Sequence, residues 1–471
     1  MHELLLRWLP ERRWFAAKGR DIARVDVTPS AWLGSDPAMR IELATVTYGD
    51  GGADIYQIPV EYRTAPVEAL GHALIGQVAV DALGAEPVWA YDALHDKAVT
   101  NTWLRGMHAG RHEPAPASAT EPATVLTFHQ EPAAAGFPLD EPSLVLTGEQ
   151  SNTSLVFGDT VILKIYRRLA AGLNPDVELH HALAEAGNPY VAALLGWVDG
   201  TWPDPSGAGT RAGTFAIAQE FLRSATGGWE IALSSLRDLL AAPDCTAADA
   251  GGDFAGDAFR LGQATAAVHA DLARTLGSEP MSPAALAGVA RHMADNLAIA
   301  VAAVPELGEH ADAIAKVYAE LAGYDRPLPA QRVHGDLHLG QAMRVLSGWK
   351  IIDFEGEPAR PLPERRRAHS PLKDVAGMLR SLDYVARHLL ADSAQQPPDP
   401  RLAYRAEEWA GRNQDAYCAG YSDVAGYDVT SDALPLRAFT LDKAVYEVMY
   451  EARNRPAWLQ VPLSALARLS A

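Results

Sequence analysis

The stretch RVHGDLHLGQAMRV, residues 332–345, is followed closely by IIDFEGEP, residues 351–358. Asp336 comes after a short strand-like run, Gln341 lies five residues later, and Asp353 lies twelve residues beyond Gln341 at the end of an apolar run. A carboxylate, an amide and a second carboxylate thus each lie at the end of, or just after, a strand-like segment. This order predicts a catalytic loop rather than a packing motif.

The spacing of these three residues matches that used for phosphoryl transfer on the kinase-type fold. In that chemistry an aspartate accepts the proton of the attacking hydroxyl, and an amide and a second aspartate bind magnesium. Mg²⁺ prefers oxygen ligands and needs only one or two from the protein, because nucleotide and water supply the rest. We therefore expect Asp336 to be the catalytic base and Gln341 and Asp353 to be metal ligands.

A polyanionic nucleotide also needs a cation, and VILKIYRRL (residues 161–169) places Lys164 in a predicted strand. Glu178 opens the helix that follows, and it is the expected ion-pair partner that fixes the lysine against the α- and β-phosphates of ATP. The preceding turn, GEQSNTS, carries small polar residues and backbone N–H groups that could cover phosphates. The expected phosphate-covering residues are Gln150, Ser151, Asn152, Thr153 and Ser154.

Two other kinds of function compete with phosphoryl transfer. His334 is expected to support the loop, but with His338, four residues on, it could instead bind zinc in a hydrolase. A zinc site leaves Lys164, Glu178 and Gln341 without a role, and no third ligand is obvious. A non-catalytic scaffold with a kinase fold is the second alternative, although no expected catalytic position is missing.

Composition limits the class of protein. The chain has 471 residues, of which 48% are hydrophobic, and a formal net charge of −19. The acidic balance argues against nonspecific binding to nucleic acid or to an anionic membrane surface. Two cysteines at unrelated positions form no metal-ligand spacing, and we expect neither a signal peptide nor a membrane anchor. These features predict a cytoplasmic protein.

Strand patterns precede helix patterns along the chain, which predicts an α+β fold with two lobes. Turns are expected at Asp50-Gly51-Gly52 and at Gly158-Asp159, each between two strands. We predict an N-terminal β-rich cap subdomain at residues 1–95 and an intermediate β-rich subdomain at 96–223. Residues 224–471 are predicted to form a mainly helical C-terminal lobe that carries the catalytic loop and the acceptor site.

The chain resembles the actinobacterial maltokinases, relatives of the aminoglycoside phosphotransferases and protein kinases. The matching motifs include RWFAAKGR, GEQSNTSLVFG, HGDLHLGQ, SPLKDVAGMLRSLDY and LDKAVYEVMYEARNRPAWL. The resemblance implies a bilobal protein-kinase-like fold with a cap, and ATP and Mg²⁺ as cofactors. It implies that AQEFL, residues 218–222, is the hinge, with the backbone of Glu220 and Leu222 facing adenine.

The same resemblance implies that the chain phosphorylates maltose at its anomeric hydroxyl. The product, maltose 1-phosphate, would feed α-glucan and glycogen synthesis. The resemblance also implies association with trehalose synthase, because that enzyme can supply maltose. A neutral disaccharide needs aromatic surface and paired polar groups, since a hydroxyl left unpaired in a dry site costs about 1–3 kcal/mol. The last long helix offers that mixture, and its acidic residues keep glucosamine or another amino sugar open as the alternative acceptor. The expected acceptor-binding residues are Asp336, His338, Glu357, Lys443, Glu447, Tyr450 and Glu451.

Overall fold

The computed structural model describes residues 1–113, 124–132, 134, 136–146, 152–207, 209–242, 245–248, 253–358, 360–391 and 399–470. The chain divides into two compact units. The first unit consists of Met1–Ala184 and Ala192–Arg223, and the second consists of Glu185–Val191 and Ser224–Ala471. No helix among the described residues is long and apolar enough to cross a membrane.

Strands dominate the part of the chain before residue 224. Its helices and strands are α1 (His2–Trp8), β1 (Ile22–Ser35), β2 (Ala38–Tyr48), β3 (Ala53–Arg63), β4 (Leu74–Val78), β5 (Val88–Asp92), α2 (Asn101–Ala109), β6 (His112–Glu113), β7 (Val125–Gln130), β8 (Ser143–Val145), β9 (Thr153–Phe157), β10 (Val161–Ile165), β11 (Arg168–Leu169), α3 (Pro175–Ala186), β12 (Leu194–Pro203) and β13 (Thr210–Glu220).

The first antiparallel sheet has the strand order β1-β2-β3-β5-β4, and β11 pairs with β3 from outside this path. The predicted turn at Asp50-Gly51-Gly52 joins β2 to β3, with Thr47 opposite Ala53. Gly51 has a φ of +86°, a conformation that glycine adopts at no steric cost. The prediction of a hairpin here is confirmed.

The second sheet has the order β6-β7-β12-β13-β10-β9-β8. The predicted Gly158-Asp159 turn joins β9 to β10, and Gly158 has a φ of +57°. Successive side chains of a strand point to opposite faces, and in β10 Val161, Leu163 and Ile165 are buried in the core. Lys164 therefore lies on the face of the sheet away from that core.

Helices dominate the chain from residue 224 onward. Its helices and strands are β14 (Thr226–Gly227), α4 (Gly228–Ala241), α5 (Ala255–Leu276), β15 (Ser278–Pro280), α6 (Pro283–Ala303), α7 (Gly308–Ala322), β16 (Pro329–Gln331), β17 (Ala342–Val345), β18 (Gly348–Ile351), α8 (Leu362–Arg365), α9 (Leu372–Ala391), α10 (Pro400–Ala425), α11 (Ala433–Asn454) and α12 (Gln460–Leu469).

The helical unit holds one long loop between β16 and β17 and a second loop after β18. The strands β17 and β18 form an antiparallel hairpin in which Ala342 lies opposite Ile351. This pairing brings residues 332–341 close to the segment that begins at Ile352. Helices α5 and α10 pack so closely that a Cβ on Gly420 would lie 1.9 Å from the carbonyl oxygen of Phe259, so no larger residue fits there.

Candidate active site

The backbone of the loop that carries Asp336 is hydrogen-bonded to a buried carboxylate, that of Asp374. Asp374, near the N-terminus of α9, accepts hydrogen bonds from the backbone N–H groups of His334 and Gly335, both at 2.8 Å. Its Oδ2 also lies 3.0 Å from Nε2 of His269. Burial alone would raise the pKa of Asp374, but the hydrogen bonds from His269 and Gly335 leave it lowered. The loop is therefore bonded to an anion that stays ionised.

His334 joins the two loops of the site. Its Nδ1 accepts a hydrogen bond from the backbone N–H of Asp336 at 3.3 Å, so its Nε2 carries the proton that it donates to the carbonyl of Ile352 at 2.9 Å. Both ring nitrogens of His334 are thus engaged within the protein. In His338, Nδ1 accepts a hydrogen bond from the N–H of Gly340 at 3.0 Å, and burial lowers its pKa. This geometry favours the structural role over the zinc pair.

Asp336 forms an ion pair with a lysine from α11. The Nζ of Lys443 lies 2.6 Å from Oδ1 of Asp336 and 3.7 Å from Oε1 of Glu357. Burial opposes the charge on Lys443, yet the two carboxylates raise its pKa above the ordinary value. Burial likewise opposes the charge on Glu357, but Lys373, Lys443 and Arg360 together lower its pKa to about 2. Both groups are therefore charged near neutral pH.

A small pocket lies beside this ion pair. Burial, with the nearby charge of Glu357, raises the pKa of Asp442 in its wall to about 6. The residues that line the pocket are Gly335, Asp336, Leu337, Glu357, Lys373, Gly377, Phe439, Asp442 and Lys443. A Cβ on Gly377 would lie 2.4 Å from the carbonyl oxygen of Leu337, so this glycine lets α9 approach the loop.

Asp442 also lines a larger pocket of about 270 Å³. Tyr446 and Tyr450 contribute rings 6.4 Å apart with an angle of 26° between their planes. The side-chain nitrogen of Asn296, which also lines this pocket, is buried with no hydrogen-bond partner in the described part of the chain. The larger pocket thus offers both aromatic surface and polar groups.

Gln341 and Asp353 lie in contact, as magnesium binding would require. The amide nitrogen of Gln341 donates a hydrogen bond to Oδ2 of Asp353 at 3.0 Å, so its oxygen remains as a ligand atom. Asp353 has a φ of +66°, a conformation that side-chain-bearing residues rarely adopt and that occurs often at functional sites. A carboxylate of Glu355 lies within 4.8 Å of that of Asp353. This all-oxygen donor set fits Mg²⁺.

In the first unit, Lys164 lies near an acidic residue that the sequence did not single out. Its Nζ is 3.9 Å from Oδ2 of Asp176, and the hydroxyl of Tyr166 donates to the same oxygen at 3.3 Å. The predicted partner Glu178 is half-buried in the same turn of α3. The side-chain oxygen of Asn174 accepts a hydrogen bond from the backbone N–H of Asp176 at 2.8 Å and so caps the start of α3.

The predicted phosphate-covering residues divide into two groups. Gln150 and Ser151 lie outside the described residues. Asn152 is half-buried, while Thr153 and Ser154 begin β9 and are buried, and the Thr153 hydroxyl accepts a hydrogen bond from Arg167 at 2.8 Å.

At the predicted hinge, Glu220 ends β13 and Leu222 follows it, half-buried. The N–H of Glu220 donates to the carbonyl of Ala193 at 2.8 Å, so any contact with adenine from this residue would use its carbonyl oxygen.

Two acidic residues of α11, Glu447 and Glu451, point in a different direction from Lys443. Glu447 accepts hydrogen bonds from Arg380, the shorter at 2.5 Å, and Glu451 accepts one from Tyr384 at 2.8 Å. Both partners lie on α9, and Arg380 and Glu451 are almost fully buried. Tyr450 is 41% exposed and lines the larger pocket. The residues of α11 that were expected to bind the acceptor are therefore divided between contacts with α9 and the pockets.

Proteins similar in sequence to this chain include two sugar kinases. Residues 8–96 match the family model described as the maltokinase N-terminal cap domain. A glucosamine kinase of Streptacidiphilus jiangxiensis is 32% identical over 340 residues, which cover 68% of this chain and 72% of that protein. A glucosamine kinase of Mycolicibacterium smegmatis is 29% identical over 338 residues, which cover 69% of this chain and 78% of that protein.

Two solved structures extend the comparison to the whole chain. A glucosamine kinase in complex with glucosamine, ADP and inorganic phosphate has a TM-score of 0.67, and a second crystal form of a glucosamine kinase has one of 0.69. Both are 23% identical and cover 99% of this chain and 98% of the other. The predicted fold, a protein-kinase-like α+β fold with a β-rich N-terminal part and a helical C-terminal part, is confirmed.

Proposed function

We propose that this chain transfers the γ-phosphoryl group of ATP to an amino sugar of the glucosamine class. The chain belongs to the family of sugar kinases that includes the glucosamine kinase of Streptacidiphilus jiangxiensis. The observation that carries the proposal is the 32% identity to that enzyme over 68% of this chain. Maltose, the acceptor predicted from the sequence, becomes the second candidate.

The smaller pocket has chemistry that suits an amino sugar. The carboxylates of Asp336, Glu357 and Asp442 line it together, and an ammonium group in a partly buried pocket needs such partners. Lys443 and Lys373, which also line it, keep the carboxylates from repelling one another and offer N–H donors to sugar hydroxyls. The lining of this pocket therefore matches an ammonium group with hydroxyl groups beside it.

The proposed chemistry assigns one role to each residue. Asp336 accepts the proton of the attacking sugar hydroxyl. The oxygen of that hydroxyl forms a bond to the γ-phosphorus of ATP, and the bond between that phosphorus and ADP breaks. Lys443 holds the Asp336 carboxylate in place. Lys164 contacts the nucleotide phosphates. Gln341 and Asp353 would hold Mg²⁺, which neutralises phosphate charge when bound.

Maltose remains a candidate because of the cap match and the larger pocket. The matching family model is that of the maltokinase cap, although it covers residues 8–96 and none of the acceptor pockets. The larger pocket shares Asp442 with the smaller one and has room and aromatic surface for a second sugar ring beside Tyr446 and Tyr450. Maltose 1-phosphate formation, its use in glycogen synthesis and association with trehalose synthase belong to this second candidate.

One coupled assay separates the candidates. kcat/KM is measured with Mg-ATP for glucosamine, maltose, glucose and an aminoglycoside on the same preparation. The proposal expects glucosamine to have the highest kcat/KM. A higher value for maltose would overturn the amino-sugar proposal and favour the second candidate, and turnover of none of the acceptors, with no binding of Mg-ATP by calorimetry, would favour the non-catalytic scaffold.

A further inference from the structure

The cap, defined as residues 8–96, is bonded to the chain segment that directly follows Lys164. We propose that the cap is a positioning element for the nucleotide, and that Gln57 and the buried pair Asp92–Arg167 hold β9 and β10 in the geometry that ATP needs. The inference rests on the proposed function, because it takes Lys164 and the start of β9 to contact ATP. It assigns a role to the cap, which the sequence left without one.

Gln57 is the first of the two connections. It lies in β3 and is fully buried, and its Nε2 donates to the carbonyl of Tyr166 at 2.8 Å and to that of Phe215 at 2.6 Å. Its backbone N–H donates to the carbonyl of Arg167 at 2.8 Å. One cap residue thus fixes the backbone two and three residues after Lys164, as well as a carbonyl on β13, the strand paired with β10.

Arg167 is the second connection. Its Nη2 lies 2.6 Å from Oδ2 of Asp92 in the cap, and its Nε donates to the hydroxyl of Thr153 at 2.8 Å. Its guanidinium carbon lies 4.5 Å from the ring centre of Trp14, also in the cap. Arg167 and Asp92 are both buried, and a buried charge is costly without its partner, so this arrangement is tightly specified.

The residues of these two connections contact the immediate neighbours of Lys164. The hydroxyl of Tyr166 donates to Asp176, the carboxylate that lies 3.9 Å from Nζ of Lys164. Thr153 opens β9, whose next residue, Ser154, lies opposite Lys164 in the sheet. A shift of the cap would therefore move Tyr166 and Thr153 together, and packed interiors transmit such shifts because they have little free volume.

The test separates positioning from mere stabilisation. Gln57→Leu keeps the size of the side chain and removes both donated hydrogen bonds, and Arg167→Lys keeps the charge and loses the planar fork that contacts two partners at once. Tyr48→Phe is the matched control, because Tyr48 is buried in the cap and donates to Asp54, with neither residue in the two connections described above. Melting temperatures show how far each variant is destabilised.

The readout is the affinity for a nonhydrolysable Mg-ATP analogue, measured by calorimetry without any sugar. We expect Gln57→Leu and Arg167→Lys to weaken it about three- to tenfold, the size of one lost hydrogen bond, and Tyr48→Phe to leave it unchanged. KM for ATP should rise as this affinity falls, while KM for the sugar stays constant. Unchanged nucleotide affinity in both variants, at temperatures where they are folded, overturns the inference. Failure of the unsubstituted protein to bind the analogue overturns the proposed function itself.

Discussion

The Nζ atom of Lys443 lies 2.6 Å from Oδ1 of Asp336, and the same ammonium group lies 3.7 Å from Oε1 of Glu357. A single cation from α11 therefore holds one carboxylate on each of the two loops of the proposed acceptor site. Because the side chains are largely buried, this contact is screened less by salt than a surface ion pair would be. The position of the proposed base depends on a helix more than 100 residues away in sequence.

Lys443→Met should lower kcat by roughly 10²-fold or more, the size reported for losing a preorganised electrostatic contact in an active site. The substitution keeps the length of the side chain and leaves Asp336 and Glu357 without their shared cation. Lys443→Arg is the control that keeps the charge, and it should retain more activity than Lys443→Met. Steady-state kinetics with saturating ATP measure the effect, and turnover within twofold of the unsubstituted protein would show that Lys443 plays no part in catalysis.

Asp353→Asn should reduce activity more than Gln341→Ala. Asp353 offers a charged oxygen ligand and Gln341 a neutral one, so we expect a loss of roughly 10²-fold or more for Asp353→Asn and of about tenfold for Gln341→Ala. Both variants should need more Mg²⁺ for half-maximal activity. Titration of Mg²⁺ into metal-free enzyme measures this. Activity that survives EDTA, or that follows zinc, would contradict the assignment.

Asp442 predicts a dependence of amino-sugar binding on pH. Its pKa of about 6 means that its carboxyl is mostly neutral below pH 6 and charged above it. KM for a cationic acceptor should therefore fall as the pH rises from about 5 to about 7, while KM for neutral maltose should not. The folded-state pKa lies above the ordinary carboxyl value, so the stabilising contribution of Asp442 is present at low pH and is lost as the pH rises through 6.

Asp442→Asn is the matched variant for this prediction. It should remove the pH dependence of KM for glucosamine between about pH 5 and 7 and leave that for maltose unaltered. Initial rates at a series of pH values with both acceptors measure it. The same slope in the variant as in the unsubstituted enzyme would assign the titration to another group.

Asp374→Asn should destabilise the protein. The carboxylate accepts hydrogen bonds from the N–H groups of His334 and Gly335, and hydrogen bonds to charged groups contribute about 1.5–3 kcal/mol each. We expect the free energy of unfolding to fall by about that amount, as measured by urea denaturation, and kcat to fall with it. Glu279→Gln, at an exposed position in β15, is the control. If Asp374→Asn is as stable as Glu279→Gln, Asp374 does not stabilise the loop.

The local part of the site could be predicted from the sequence, because its residues are close along the chain. Asp336, Gln341 and Asp353 lie on two loops joined by one hairpin, so their spacing alone determines that they are neighbours. The two predicted turns could also be assigned locally, since Gly51 and Gly158 adopt positive φ values.

The rest of the site depends on tertiary packing that periodicity does not encode. Lys443, Glu447 and Glu451 were all expected to bind the acceptor, but the sequence could not show that α9 supplies Arg380 and Tyr384 to the two glutamates. In the same way, the sequence gives no sign that Asp374 lies beneath the loop. Asp176 was not predicted, because Asp176 and Glu178 both lie in the first turn of α3 and the Lys–Glu pair of the kinase-type fold favoured the glutamate.

The most direct test measures product in the unsubstituted enzyme and in Asp336→Asn. With Mg-ATP and glucosamine, the unsubstituted enzyme should form a phosphorylated sugar in equal amount to ADP, both quantified by mass spectrometry. Asp336→Asn should form it roughly 10²–10⁴-fold more slowly, the usual contribution of a general base, while binding a nonhydrolysable ATP analogue with unchanged affinity. An unchanged rate in the variant, or ADP release without any phosphorylated sugar, would contradict the account.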